Sequence, residues 1–314
     1  MAQPHPTIQP ITGKLNPWLM LLITLSLTMI GFQFVGMFLG LMAAWPLYPG
    51  GLEIFINELA DPTGNPAMRP VLLIMQGVAS FTGFIVVPWL LLRYVYDSQV
   101  QKIGLHRPSL LLALLAFAIT LFFMGFNAPI IEWNKNLTLP WPALEETLRG
   151  LEDALARTSE FITRFDSPLQ LLAGLLVIAV IPGIGEELVF RGLVQNHVYR
   201  LAGNMHVAIW VGALLFSLFH MQFYGLVPRM LLGALFGYLY WFSGNLVYAM
   251  LAHFFNNAFT LIMLYLYYQG QVPVNIDETS VIPWSQVVVA TVLTGVLIFV
   301  FKKQAANATL GESV

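Results

Sequence analysis

Two adjacent carboxylates, Glu186 and Glu187, stand in the stretch Gly183-Ile184-Gly185-Glu186-Glu187-Leu188-Val189-Phe190-Arg191, which ends an apolar run beginning at Leu169. An ionised side chain at membrane depth costs several kcal/mol, about 2.5–3.5 on insertion scales, so such a pair marks a functional site by default. On a helix Glu187 and Arg191 are i and i+4, the orientation in which an acid N-terminal to a base pairs well. Glu186 then points about 100° away and stays available for proton transfer. His220 closes the run Phe216-Ser217-Leu218-Phe219-His220, and His253 and Asn257 share a helix face in His253-Phe254-Phe255-Asn256-Asn257.

These residue types suit hydrolysis. A carboxylate beside an imidazole can hold and deprotonate a water, while a histidine and an amide on another helix can stabilise the oxyanion that follows. Alternatively Glu186, His220 and His253 could ligate zinc, with an open position to activate water; the chain has no His-Glu-x-x-His to force that choice. Plainer readings exist for each feature alone: acids capping or bridging a helix at the membrane edge, a hydrogen-bonded histidine at a span end, a histidine–asparagine pair joining helices. Spacing argues for the joint reading. With Gly203-Asn204 as a turn, Glu186 lies 17 residues before Gly203 and His220 lies 17 after it, so antiparallel helices bring both to one depth, roughly 25 Å from the turn. A second turn near Ser243-Gly244 carries His253 and Asn257 towards the same level.

The elements that must hold these residues are membrane helices. Of 314 residues, 58% are hydrophobic and only 10% charged, against roughly 25% charged in a soluble domain. A net charge of −2 offers no basic footprint for nucleic acid, and the absence of cysteine excludes disulfides and thiolate sites. At about 20 apolar residues per crossing, we expect an all-α bundle of about eight spans near 17–43, 70–93, 109–131, 168–200, 204–222, 226–243, 245–268 and 284–301. The first is too long for a cleavable signal core and is read as a retained span. Pro182, Gly183 and Gly185 are expected to bend or break the fourth. Arg93, Lys102 and Arg107 between spans two and three, with Lys302 and Lys303, put both termini in the cytoplasm by the positive-inside rule and the site nearer the outer face. In the connection 132–167, Leu144, Leu148, Leu151, Leu155, Ile162 and Phe165 recur at helical spacing among charges, which predicts an amphipathic helix at the interface.

Three ordered motifs carry a family resemblance. Glu186-Glu187-x-x-x-Arg191, Phe216-x-x-x-His220 and His253-x-x-x-Asn257 resemble the Glu-Glu-x-x-x-Arg, Phe-x-x-x-His and His-x-x-x-Asn/Asp motifs of the CPBP (CAAX protease and bacteriocin-processing, Abi) family, which includes the Ras-converting CAAX endopeptidases. The resemblance covers about residues 168–268. It implies an intramembrane endopeptidase in which Glu186 and His220 activate water, His253 and Asn257 form the oxyanion side, and Glu187 and Arg191 are a supporting pair. It favours a metal-free, glutamate-dependent mechanism, with zinc on Glu186, His220 and His253 as the metalloprotease alternative. It implies peptide or protein substrates, bacteriocin-like or lipidated ones among them, in contact with membrane lipid.

The chain accordingly divides into a polar tail (1–15), N-terminal spans with the interfacial helix (16–166), a catalytic core (167–268), and a last loop, span and tail (269–314). We expect a multi-pass protein of a bacterial inner membrane. Two rival functions stand beside the peptidase: a non-catalytic scaffold or immunity protein on the same fold, and an ion-coupled transporter, which midplane acids and a broken helix also suit.

Overall fold

The computed structural model describes residues 16–96, 103–273, 275 and 282–311, and every regular element among them is a helix. The expected tail 1–15, Lys102 and residues 276–281 of the last loop lie outside the described residues. Seven helices are long and apolar enough to cross a membrane: α1 (Pro17–Leu47), α3 (Met68–Tyr94), α4 (Leu110–Lys135), α6 (Pro168–Ala202), α8 (Phe223–Ser243), α9 (Leu246–Tyr268) and α10 (Trp284–Asn307). The other α-helices are α2 (Leu52–Glu58), α5 (Pro142–Thr163) and α7 (Met205–Leu218). The large apolar side chains on the outside, such as Phe34, Leu110, Leu169 and Phe299, form the surface that lipid tails solvate.

The expected eighth crossing, 204–222, is the departure. Helix α7 is 14 residues long, about 21 Å at 1.5 Å per residue and short of a 30 Å hydrocarbon layer. The chain leaves it at Phe219 and passes through Met221 at a left-handed φ of 55°. Termination at this point places His220 in the connection to α8, off the end of a helix.

Local sequence explains the turns on either side. Gly203 and Gly244 each end a helix at φ 64°, a conformation glycine takes without Cβ strain. The asparagine that follows each one caps the next helix: Asn204 accepts from His206 N and Val207 N, and Asn245 from Val247 N. Two Gly-Asn hairpins therefore fold α6–α7 and α8–α9.

Of the expected bend or break at Pro182 the break does not occur: helix α6 is continuous across it. A π-helical turn at Leu175–Val180 precedes the proline, and a second occupies Leu188–Gln195. Proline has no N–H for the carbonyl four residues back; that oxygen, Ile178 O, accepts from Asn257 Nδ2 at 2.9 Å. The glycines on either side let neighbours close in. A Cβ at Gly183 would stand 3.1 Å from the Phe254 backbone nitrogen, and one at Gly185 would stand 2.7 Å from Phe84 Cβ.

The rest of the chain clamps α6. Thr24 of α1, Tyr96 after α3 and His197 of α6 form a buried hydrogen-bonded row, with Tyr96 Oη 2.6 Å from His197 Nε2 and 3.1 Å from Thr24 Oγ1. Across the other face, Arg191 Nη2 donates to Gly233 O at 2.7 Å and Gln195 Nε2 to Gly237 O at 3.4 Å. Two side chains one turn apart on α6 thus meet two carbonyls one turn apart on α8.

Candidate active site

Glu187 and Arg191 make the predicted ion pair, Nη1 to Oε1 at 2.7 Å, with both side chains essentially inaccessible. Taking two charges out of water is costly, and only good geometry with further hydrogen bonds offsets it. Arg191 obtains those from Gly233 O and from the rings of Phe216 and Phe236, 4.6 and 5.5 Å from its Cζ. A Cβ at position 233 would stand 3.0 Å from Arg191 Nη2, so a larger residue there would crowd the guanidinium.

Glu187 Oε1 has a second partner, His253 Nδ1 at 2.8 Å. A carboxylate only accepts, so Nδ1 carries a proton, and in the neutral form of the ring the lone pair is on Nε2. That nitrogen lies 3.9 Å from Glu186 Oε2. The ring is held flat against Phe236 (5.1 Å, 21° between planes) and edge-on to Phe216 (5.8 Å, 88°). Orientation of His253 is therefore set twice, by a carboxylate at one nitrogen and by two aromatic rings at its faces and edge.

His220 follows the same pattern. Its Nδ1 meets Phe216 O at 2.9 Å, and its ring lies 5.0 Å from that of Phe216. Because a carbonyl also only accepts, Nδ1 again donates and Nε2 is the basic nitrogen. One phenylalanine ring thus touches both histidines, which explains physically why an aromatic belongs four residues before His220.

Glu186, 12% exposed, has an Oε2 that is buried without a hydrogen-bond partner, as has the second oxygen of Glu187, but only on Glu186 is that oxygen the one 3.9 Å from His253 Nε2. Orphaned buried polar atoms are rare and call for an explanation. Asn257, in contrast, is occupied: Nδ2 donates to Ile178 O and Oδ1 accepts from Asn256 Nδ2 at 3.1 Å. Of the sequence-predicted residues, the structure joins Glu186, Glu187, Arg191 and His253 directly, and it brings His220 in through Phe216. Asn257 it ties to the backbone of α6.

The zinc alternative would need Glu186, His220 and His253 to converge. Among the described residues no three His, Cys, Asp or Glu side chains gather as a metal-ligating group, and Glu187, the carboxylate in direct contact with His253, is spent on Arg191.

Sequence reasoning missed Phe236, which stacks His253, and Gly233 and Gly237, whose carbonyls receive α6. A signal was present in the small-xxx-small spacing Gly233-x-x-x-Gly237, which marks close helix approach in membranes. It also missed Arg229, whose Nη2 donates to Gln222 Oε1 at 2.6 Å and whose Nη1 is buried without a partner.

Residues 168–259, from the start of α6 to the middle of α9, match the family model described as Type II CAAX prenyl endopeptidase Rce1-like. No curated protein and no solved structure matches the chain.

Proposed function

Because residues 168–259 are an Rce1-like type II CAAX prenyl endopeptidase family domain, we propose that the chain is a membrane-embedded endopeptidase hydrolysing a peptide bond near the bilayer surface. The observation that carries this reading is the pairing of an unpartnered buried acceptor, Glu186 Oε2, with the basic Nε2 of His253 at 3.9 Å. Two acceptors at that separation suit a water that gives a hydrogen to each. Glu186 takes the proton as the water oxygen bonds to the peptide carbonyl carbon, and the carbonyl electron pair moves to oxygen. We assign His220, whose Nδ1 is taken by Phe216 O, to share in the proton transfer through Nε2 and to protonate the leaving amine. Glu187 holds His253 in the required tautomer, and Arg191 neutralises Glu187, so one carboxylate of the pair positions while the other reacts.

The chain's own residues supply all of these roles, so the metal-free mechanism is the one proposed. The substrate class is a peptide or protein segment at the membrane surface, with lipidated and bacteriocin-like peptides as the first to try, and the protein's place is a multi-pass position in a bacterial inner membrane.

The test is cleavage of a peptide library by detergent-purified protein, read by mass spectrometry. Cuts made by wild type, lost in Glu186→Gln and in His220→Ala, and kept in the presence of a chelator are expected. Loss on chelation with recovery on adding zinc would replace the mechanism with a metal-dependent one. A wild type that cuts nothing beyond what the variants cut would return the chain to the scaffold or transporter reading.

A further inference from the structure

A cavity of about 610 Å³ opens between the C-terminal end of α4 and the N-terminal end of α10, helices that carry none of the residues assigned to the peptidase site. Glu132, Trp133, Asn136, Thr138, Ile282 and Trp284 line it. A second cavity, of about 450 Å³, adjoins it at Ile282 and follows the seam of the same two helices, lined by Leu121, Phe122, Gly125, Val289 and Ala290. A Cβ at Gly125 would stand 2.9 Å from Ala290 Cβ, so the helices close on each other there and floor the groove. Trp133 and Trp284 are 54% and 73% exposed, and each stands at the end of a span, the level at which indoles sit between headgroups and chains. From Trp133 to Leu121 α4 covers about 18 Å, a little more than half of a roughly 30 Å hydrocarbon layer. A polar mouth at the headgroup level over an apolar furrow one leaflet deep has the dimensions of a single lipid.

The charge at the mouth selects the headgroup. Glu132 brings a carboxylate, held against the helix by Asn136 Nδ2, which donates to its Oε1 at 2.7 Å. No lysine, arginine or histidine is among the described residues that line the cavity. Indole faces attract cations, and a carboxylate accepts hydrogen bonds but donates none. A primary ammonium answers both, as a donor of three N–H groups and as a cation over a ring. A headgroup of net negative charge would instead set a like charge against Glu132. We propose that the α4–α10 groove is a binding site for one phospholipid whose headgroup ends in a primary ammonium, a phosphatidylethanolamine, with an acyl chain lying in the furrow. The indole N–H groups and the Thr138 hydroxyl are the donors at hand for its phosphate.

The same end of α4 holds other parts of the molecule in place. Asn134, buried between the lining residues Trp133 and Asn136, donates to Phe223 O at 3.3 Å and accepts from Val227 N at 2.9 Å. Leu137, which also lines the cavity, gives its carbonyl to Arg149 Nη2 of α5 at 2.7 Å. A lipid seated on the outer side of this segment therefore packs against the backbone whose inner side fastens the start of α8 and the start of α5. A ligand that binds only the folded protein stabilises it by mass action.

The experiment offers detergent-purified full-length protein equal amounts of phosphatidylethanolamine, phosphatidylcholine and phosphatidylglycerol with identical acyl chains, and counts bound lipids by native mass spectrometry. Wild type is expected to retain phosphatidylethanolamine about fivefold over each of the others, the size of one exposed cation–π or ion-pair contact. Glu132→Gln keeps an oxygen to accept from Asn136 and loses the charge, and should bring that ratio to about one. Added phosphatidylethanolamine should raise the thermal unfolding midpoint of wild type more than that of Glu132→Gln. If Glu132→Gln does not fold, Trp284→Leu, at an exposed position, carries the test through a lowered ratio. A phosphatidylethanolamine with a diazirine in its acyl chain should label residues 121–125 and 285–290, and should lose those labels in Ser285→Trp, which fills the furrow. Equal retention of the three lipids overturns the proposal, since the groove then holds only the lipid that solvates any apolar helix. Preference for phosphatidylglycerol, an equal rise in midpoint for both proteins, or labels spread evenly over the exposed faces of all spans also overturns it. None of these readouts involves peptide cleavage, so the lipid site stands or falls apart from the peptidase reading.

Discussion

The two glutamates differ by one position and by everything around them. Glu187 receives Arg191 and His253 on one oxygen, 2.7 and 2.8 Å away, and is a structural charge. Each has an unpartnered buried Oε2, but that of Glu186 lies 3.9 Å from the Nε2 of His253, and the peptidase reading assigns the proton transfer to it. Removing half of a buried pair leaves an uncompensated charge, so Arg191→Met is expected to destabilise the protein by about 3–5 kcal/mol. The double change Glu187→Gln with Arg191→Met, which removes both charges, should recover much of that loss. Reversible unfolding in mixed detergent micelles would check it. A double variant no more stable than Arg191→Met would mean that Glu187 carries no charge in the folded protein.

At the scale of the helix, the contest is between Pro182 and the hydrogen-bond ladder of α6. A proline inside a helix costs about 3 kcal/mol or more when nothing compensates. Here Asn257 supplies from α9 the donor that residue 182 lacks. Asn257→Ala should then cost about 1–3 kcal/mol for a buried carbonyl left bare. Pro182→Ala should be close to neutral alone and should rescue Asn257→Ala, because a backbone N–H at 182 can serve Ile178 O from within α6. A double-mutant cycle on unfolding free energy measures that coupling, and strict additivity would refute it. The π turn at Leu175–Val180 belongs to the same accommodation, since π bulges recur where helices carry function.

At the scale of the whole molecule, α5 connects the N-terminal spans to the site. Arg149 stands over the ring of Tyr224 at 4.3 Å, and Glu152 accepts from Tyr224 N at 3.3 Å, so this amphipathic helix packs on the connection that follows His220. Near the far end of α5, Arg69 of α3 donates to Phe161 O and pairs with Asp166. Leu144, Leu151 and Leu155 remain exposed on its outer face, as an interfacial helix requires. The start of α5 is fastened by Glu145, which accepts from Leu139 N at 2.9 Å and from Arg149 Nε at 2.8 Å. The Leu139 amide first and Arg149 second hold its carboxyl below the usual carboxylate range. A depressed folded-state pKa stabilises above the unfolded value, about 4.3 for a glutamate, and that contribution is lost as pH falls through the folded value. Hydrogen-exchange protection of residues 137–149 should therefore be level from neutral pH down to about 4.3 and decline below it. In Glu145→Gln it should start lower and lack that step. A pH-independent profile in wild type would show that Glu145 does not fasten the helix.

Periodicity and composition alone determined the class of this protein. The apolar runs mark where helices stand, within a few residues at most boundaries, and the i, i+4 spacing of Glu187 and Arg191 ensures their pairing on any helix that forms, because local geometry is enough. The amphipathic pattern of 132–167 likewise suffices for α5, and the order of the three motifs suffices for the family reading. Tertiary structure decided what each residue does. His253 meets Glu187 only because α9 lies against α6 at Gly183; Asn257 gives an N–H to a carbonyl that Pro182 leaves open 75 residues earlier; and α7 ends at Leu218, short of a crossing. Helices are local in their causes, whereas partnership between helices depends on which faces close packing brings together, and that information is spread over the whole chain.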